Sequence, residues 1–178
     1  MNRIVAIFAA VALLMSIWAC SSLYVARDHF ASPLPTKLVV RNDDYGNGYF
    51  GAKRSGGRAH KGIDYMADVN TPVYAAKSGV IKYARYKKGN GKYVVINHRF
   101  GYRTYYCHLA SIDVKEGQRV TEGERIGAVG KTGNANRAGM QAHLHFEIHK
   151  NSTPIDPAQA MSNGGQRYAN SASRNKSL

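Results

Sequence analysis

The sequence has few cysteines, few acidic residues and no long amphipathic stretch. Its two cysteines, Cys20 and Cys107, do not form the even set that holds many small secreted domains together. Without an amphipathic segment of helical length, a mainly helical fold is not expected. The 178 residues are nevertheless enough for one domain with its own apolar core.

The shortage of acidic residues leaves the chain strongly basic. Eleven Asp and Glu stand against 25 Lys and Arg, which gives a formal charge of +14. Such a charge suits an anionic partner, namely nucleic acid, acidic lipid or an anionic wall polymer. The basic residues are scattered, however, so a simply solvated surface is an equally good interpretation. Nucleic acid is excluded as a partner if the protein is exported.

The N-terminus predicts export. After Arg3, residues 4–19 are uncharged and almost wholly apolar, but they fall short of the ~20 residues that span a bilayer. We interpret residues 1–19 as a signal peptide. Ile17 and Ala19 stand three and one residues before Cys20, a pattern that resembles the lipobox of bacterial lipoproteins. That resemblance implies lipidation of Cys20 and a place on the periplasmic face of the outer or inner membrane; a secreted or signal-anchored protein is the alternative.

Composition divides the rest of the chain into three parts. Residues 20–44 are polar and irregular, and we interpret them as the lipidated cysteine followed by a spacer. Residues 45–160 carry the strand and turn patterns and form the predicted domain, which opens on a glycine-rich loop at 45–62. Residues 161–178 hold Ser, Asn, Gly, Arg and Lys without an apolar period, which predicts a disordered basic tail.

The central region is patterned as strands. Residues 79–86, 92–98 and 102–109 are separated by turn signals and predict an antiparallel meander. Glycines repeat at a fixed spacing across residues 114–126, and residues 143–149 alternate as a last strand. The predicted fold is mainly β, with few helices.

Histidines and one aspartate suggest a metal site. His60 and Asp64 lie four residues apart after the flexible loop, and His143 and His145 share one face of a predicted strand. Residues two apart on a strand are separated by about 6.6–7 Å, which is too far for both to bind one tetrahedral ion in simple register. Two histidines and one carboxylate would supply the three protein ligands of a catalytic zinc and leave one position open.

These residues occur within a longer ordered set of motifs. Arg58-x-His60-x-Gly62-x-Asp64 is followed by Thr104-x-Tyr106-x-His108-Leu109, the glycine repeat, and His143-Leu144-His145-Phe146-Glu147. Over about residues 45–158 the chain resembles the lysostaphin/LytM-type metallopeptidases, peptidase family M23. These are zinc endopeptidases that act on peptidoglycan.

The resemblance implies roles for five residues. His60, Asp64 and His145 would bind Zn²⁺, and His108 and His143 would be catalytic residues that orient the attacking water or stabilise the oxyanion. It also implies a compact antiparallel β-sheet or sandwich with few helices, and a groove over the sheet that is walled by loops. The expected function is peptidoglycan endopeptidase, acting as a monomer on stem-peptide or cross-bridge bonds, with membrane contact through the lipid. A catalytically inactive wall-binding activator of another hydrolase is the alternative.

Other notable side chains receive structural interpretations. His98 ends a predicted strand, and His149 lies two pleats beyond His145, so both are expected to support the fold rather than bind metal. Cys107 stands in an apolar β-type run and is expected to be a small buried hydrophobic residue.

Overall fold

The computed structural model describes residues 29–162, so the predicted signal peptide, Cys20 and residues 163–178 lie outside the described part of the chain. Within it, β-strands dominate and one short α-helix follows them. The strands are β1 Asn42–Asp43, β2 Gly46–Asn47, β3 Ile63–Met66, β4 Pro72–Tyr74, β5 Gly79–Lys87, β6 Gly91–Asn97, β7 Tyr102–Ile112, β8 Arg119–Val120, β9 Arg125–Val129, β10 His143–Lys150 and β11 Thr153–Ile155, and the helix is α1 Pro157–Ser162.

All strand pairs are antiparallel, and nine strands join into one sheet. Its main path runs β11-β10-β7-β6-β5-β8. Strand β10 pairs with β7 along one of its edges. Along its other edge it pairs first with β3 and then with β11. Strands β1 and β2 form a separate two-stranded hairpin.

The mainly β fold and the meander are confirmed. The predicted strands at 79–86, 92–98 and 102–109 correspond to β5, β6 and β7, which pair in that order. The predicted strand at 143–149 corresponds to β10.

One face of the sheet covers the main apolar core. Alternate residues of β10 point into it, and Leu144, Phe146 and Ile148 are each 0% exposed. Burying a side chain of this kind stabilises a fold by roughly 1.5–3 kcal/mol. The residues between them, including His145 and Glu147, therefore lie on the opposite face, beside a smaller cluster of Tyr93, Val95 and Cys107.

The segment predicted to be a spacer belongs to the fold from residue 29 onward. Phe30 and Leu34 are buried in the main core. Backbone hydrogen bonds from Ala31 to the Ala76 carbonyl (2.8 Å) and from Tyr74 to the Pro33 carbonyl (2.9 Å) dock the segment against β4 and the residues that follow it. Isolated apolar residues in an irregular segment have no period, which is why the sequence pattern did not reveal this packing.

The domain also ends later than predicted. Helix α1 continues to Ser162, and Met161 is 5% exposed and packs into the main core, so residues 161 and 162 are not part of a disordered tail. In the range 29–162, no helix has both the length and the apolar character needed to cross a membrane.

Candidate active site

Strand pairing brings the aspartate and one histidine together. Strands β3 and β10 are registered so that Asp64 lies directly opposite His145. His60 stands one loop turn before β3, and its backbone N–H donates to the Ala52 carbonyl at 2.9 Å. Gly62 lets this loop pass close to β10, because a Cβ at that position would lie 2.2 Å from the Phe146 carbonyl oxygen.

Three ligand atoms converge at this point. His60 Nε2 lies 3.0 Å from His145 Nδ1 and 3.1 Å from Asp64 Oδ1, and His145 Nδ1 lies 2.8 Å from Asp64 Oδ1. Ligands at the usual 2.0–2.1 Å from a tetrahedral zinc would be about 3.3 Å apart. The three atoms thus stand within about half an ångström of the spacing that zinc requires.

Hydrogen bonds on the far side of each ring support the same interpretation. His60 Nδ1 donates to the Tyr49 carbonyl oxygen at 2.8 Å, which leaves its Nε2 lone pair facing the cluster. His145 Nε2 is 2.8 Å from Glu147 Oε1, and the other oxygen of Glu147 is 2.6 Å from His149 Nε2. A histidine held by a carboxylate through its second nitrogen is a common arrangement in metal sites.

The charges of this cluster are strongly coupled. Burial disfavours the charged form of Asp64, but hydrogen bonding to His145 outweighs it and holds the pKa of the carboxyl well below its usual range. Burial alone would lower the pKa of His145; the carboxylates of Asp64 and Glu147 instead raise it to about 9. The two carboxylates thus favour a positive charge at the position of His145.

His108 and His143 lie beside the cluster but outside it. Their ring centroids are 5.1 Å apart, and the ring of His108 is 6.0 Å from that of His145. Within residues 29–162, a group of three potential ligand atoms that all lie within 4.8 Å of one another comes from His60, Asp64 and His145. The five residues predicted from sequence are thus brought together, with His108 and His143 outside this group of three, whereas Cys20 lies outside the described residues.

Both outer histidines are neutral at pH 7. Burial lowers the pKa of His108 to about 3 and also lowers the pKa of His143. Their Nδ1 atoms donate to the carbonyls of Thr132 (2.9 Å) and Gln141 (2.7 Å). A carbonyl oxygen only accepts, so each proton sits on Nδ1 and each Nε2 keeps a lone pair that can take up a proton.

His108 reaches the site through an irregular backbone. Cys107 is paired with His145 and lies on the same face of the sheet, so in a regular strand the next residue would point to the opposite face. The register between β6 and β7 instead shifts between the pairs that contain Tyr106 and Leu109, and His108 has a φ of 66°. This left-handed conformation at a bulge turns the imidazole toward the other histidines.

Four charged residues around the cluster were missed by sequence reasoning. Arg41 Nη2 and Arg54 Nη2 each lie 3.1 Å from Asp64 Oδ2, the oxygen that faces away from the histidines. Asp43 pairs with Arg41, and Glu147 holds His145. Glu147 could have been found, because it follows His145 by two residues on a strand. Arg41 and Arg54 stand outside the strands and Asp43 lies in the two-residue strand β1, so these three had no such signal.

The remaining predicted positions have structural surroundings. His98 bonds to the Ser78 carbonyl through Nδ1 (3.0 Å) and to Thr104 Oγ1 through Nε2 (2.8 Å), away from the cluster. Cys107 is buried with Tyr93 and Val95, and burial raises the pKa of its thiol.

Comparison with known proteins agrees with this geometry. The model of peptidase family M23 matches residues 58–157, which is more than half of the chain. The chain belongs to peptidase family M23. The match contains the four clustered histidines and Asp64, and it begins after Arg41, Asp43 and Arg54.

Individual relatives extend the comparison. The chain is 42% identical over 114 residues to the peptidoglycan DD-endopeptidase ShyC of Vibrio cholerae, an alignment that covers 61% of this chain and 25% of that protein. The chain therefore spans about a quarter of the length of the curated relatives it matches first. A zinc containing peptidase from Vibrio cholerae superimposes with a TM-score of 0.54 and 29% identity, over 72% of this chain and 37% of that one. The catalytic domain of lysostaphin from Staphylococcus simulans gives 0.55 and 34%, over 62% and 86%. These matches confirm the predicted fold class.

Proposed function

We propose that this protein is a zinc-dependent endopeptidase that hydrolyses peptide bonds of bacterial peptidoglycan. The observation that carries the proposal is the convergence of His60 Nε2, Asp64 Oδ1 and His145 Nδ1 beside two neutral imidazoles. The donor set fits zinc, because it supplies the three protein ligands of a catalytic site and leaves a fourth position open. The family membership supports the same class of reaction.

The outer histidines supply the proton transfers. When bound, zinc acts as a Lewis acid that polarises the carbonyl of the bond to be cut. The unprotonated Nε2 atoms of His108 and His143 can accept a proton from the attacking water and later return it to the leaving amine. A histidine that has accepted this proton also stabilises the negative charge that develops on the carbonyl oxygen.

The substrate follows from the relatives and from the charge of the chain. ShyC is a peptidoglycan DD-endopeptidase, which favours D-alanyl–diaminopimelate cross-links as the bonds cut here. A formal charge of +14 suits an anionic wall polymer. Glycine cross-bridges are the other bond type to be tested.

The test is digestion of purified sacculi followed by mass spectrometry of the muropeptides. Cross-linked dimers should decrease and monomers should increase; a zinc chelator should stop the reaction and added zinc should restore it. A parallel digest of glycine-bridged wall separates the two bond types. If the protein binds zinc and sacculi yet releases no peptide from either wall, it is the inactive wall-binding activator and the enzymatic proposal fails.

We also propose export and tethering through Cys20, which rests on the sequence pattern of residues 1–20. Cys20→Ala should abolish labelling by a fatty-acid analogue and release the protein from membranes. If the parent protein takes up no label and the variant stays in the membrane fraction, the lipoprotein assignment is wrong.

A further inference from the structure

The segment of residues 38–48 lies along the edge of β3 that does not pair with β10. Strand β3 is the strand that carries Asp64. The Met66 N–H donates to the Val39 carbonyl at 2.8 Å, and Val40 forms an antiparallel bridge with Tyr65. The Arg41 N–H donates to the Asp64 carbonyl at 2.8 Å. Strand β3 is thus held between β10 on one side and this segment on the other.

Arg41 extends this backbone contact to the side chain of Asp64. It is 3% exposed, and its Nη2 is 3.1 Å from Asp64 Oδ2. With Oδ2 held by the guanidinium, Oδ1 is directed toward the nitrogens of His60 and His145. A carboxylate fixed through one oxygen in this way presents the other oxygen in a single orientation, which is how neighbouring groups tune metal ligands.

The second terminal nitrogen of Arg41, Nη1, begins a chain of contacts that reaches His143. Arg41 Nη1 donates to Asp43 Oδ1, and Asp43 Oδ2 accepts the backbone N–H of Gln141 at 3.2 Å. The carbonyl of Gln141 accepts the Nδ1 proton of His143 at 2.7 Å. A continuous path of hydrogen bonds therefore runs from Asp64 through Arg41, Asp43 and Gln141 to His143.

We propose that Arg41 and Asp43 are positioning residues that fix the zinc ligand Asp64 and the proton-transfer residue His143 relative to each other. This inference rests on the proposed function and names residues that lie before the part of the chain matched to the family. Arg41 suits the task because a guanidinium is a rigid, planar fork with several donors, whereas a lysine ammonium is a point charge on a flexible stem. Misplacement of a reacting group by about 1 Å can cost roughly 100-fold in rate.

Arg54 provides a matched control within the same site. Its Nη2 is also 3.1 Å from Asp64 Oδ2, but its Nη1 donates to the Asn47 carbonyl at 2.7 Å and its side chain is 24% exposed. It therefore supports the ligand without joining the path to His143. A variant at Arg54 should affect the metal and leave the other side of the site unchanged.

The experiment uses the full chain with two readouts that do not depend on peptidase activity. Zinc affinity is measured by competition with a chelator, and hydrogen exchange of the Gln141 amide reports its bond to Asp43. Arg41→Lys should weaken zinc binding about 10–100-fold and speed exchange of the Gln141 amide. Arg54→Lys should weaken zinc binding and leave that exchange unchanged.

Asp43→Asn tests the second half of the path and keeps the test informative if Arg41→Lys fails to fold. It should speed exchange of the Gln141 amide and lower kcat at saturating zinc by roughly 10–100-fold, with KM little changed. If Asp43→Asn changes neither quantity, or if a folded Arg41→Lys changes zinc affinity alone, the coupling is overturned. If the parent protein binds zinc but cuts no peptidoglycan, the proposed function fails, and the zinc and exchange readouts still decide this inference.

Discussion

The two sides of the site contain the same kind of side chain in opposite electrical surroundings. On the side proposed to bind zinc, His145 lies between the carboxylates of Asp64 and Glu147, which raise its pKa to about 9. On the other side, His108 bonds to a backbone carbonyl, and burial together with the neighbouring His145 lowers its pKa to about 3. Carboxylates in contact with one histidine thus favour a positive charge there, whereas burial beside that charge keeps the other neutral and able to accept a proton.

The largest effect is expected from removing a metal ligand. His60→Ala and His145→Ala should each lower zinc from about one ion per chain to a small fraction of that, because two protein ligands are too few for a catalytic site. Peptidase activity should fall to background with the metal. Elemental analysis of the dialysed variants measures the zinc, and His98→Gln serves as the control with a buried histidine outside the cluster. Retention of zinc by His145→Ala together with its loss from His143→Ala would reverse the two assignments.

The next effect separates chemistry from metal binding. His143→Ala and His108→Ala should keep close to one zinc per chain but cut cross-linked muropeptides about 10²–10⁴-fold more slowly, the usual cost of losing a general acid or base. Initial rates of muropeptide release at saturating zinc provide the measurement. Full activity in both variants would mean that proton transfer takes place elsewhere.

A smaller effect is expected from the carboxylate behind His145. Glu147→Gln removes the charge that holds His145 Nε2 and should weaken zinc binding about 10–100-fold, while activity largely returns at high zinc. Glu116→Gln is the matched control, because Glu116 is 47% exposed and pairs loosely with Arg85 at 3.9 Å. Equal zinc affinity in the two variants would show that Glu147 does not support zinc binding.

The smallest effect on activity is expected at His98, which is buried like His108 and His143 but lies away from the cluster, against Ser78 and Thr104. Burial lowers its pKa to about 4 from the ordinary 6.5. As pH falls from 6.5 to 4, the unfolded chain takes up a proton at this residue and the folded chain does not. The contribution of His98 to the free energy of unfolding of the wild type should therefore drop by up to roughly 3 kcal/mol between pH 6.5 and pH 4.

Urea unfolding at several pH values compares wild type with His98→Gln. The difference in stability between the two proteins should shrink as pH falls through the window, while activity at pH 7 stays within a few-fold of wild type. A difference that does not change with pH would show that His98 does not titrate abnormally.

The sequence was informative where a regular period or an ordered set of motifs carries the signal. The separation between residues two apart on a strand indicated that His143 and His145 would not both bind one tetrahedral ion. The choice of His145, and its grouping with His60 and Asp64, came from the resemblance to peptidase family M23. The pairing of β3 with β10 that places Asp64 opposite His145 was not predicted, because the pattern before residue 72 indicated only a loop leading into the site.

The sequence was uninformative where a contact depends on the path of an irregular segment. Phe30 and Leu34 enter the core, and Arg41 reaches Asp64, from residues that lack any period and were interpreted as a spacer. The bulge that redirects His108 likewise has no signature in the pattern of β7. Such features are fixed by tertiary packing, and local sequence does not encode them separately.

The backbone of His108 carries a consequence for how this site could evolve. A non-glycine residue held at a φ of 66° typically costs about 1–3 kcal/mol, a cost that glycine largely avoids. Selection for thermal robustness alone would therefore favour loss of the imidazole at this position. Under the proposed function, turnover is the property that offsets this cost, and a descendant that only bound the wall would gain stability by exchanging His108 for glycine.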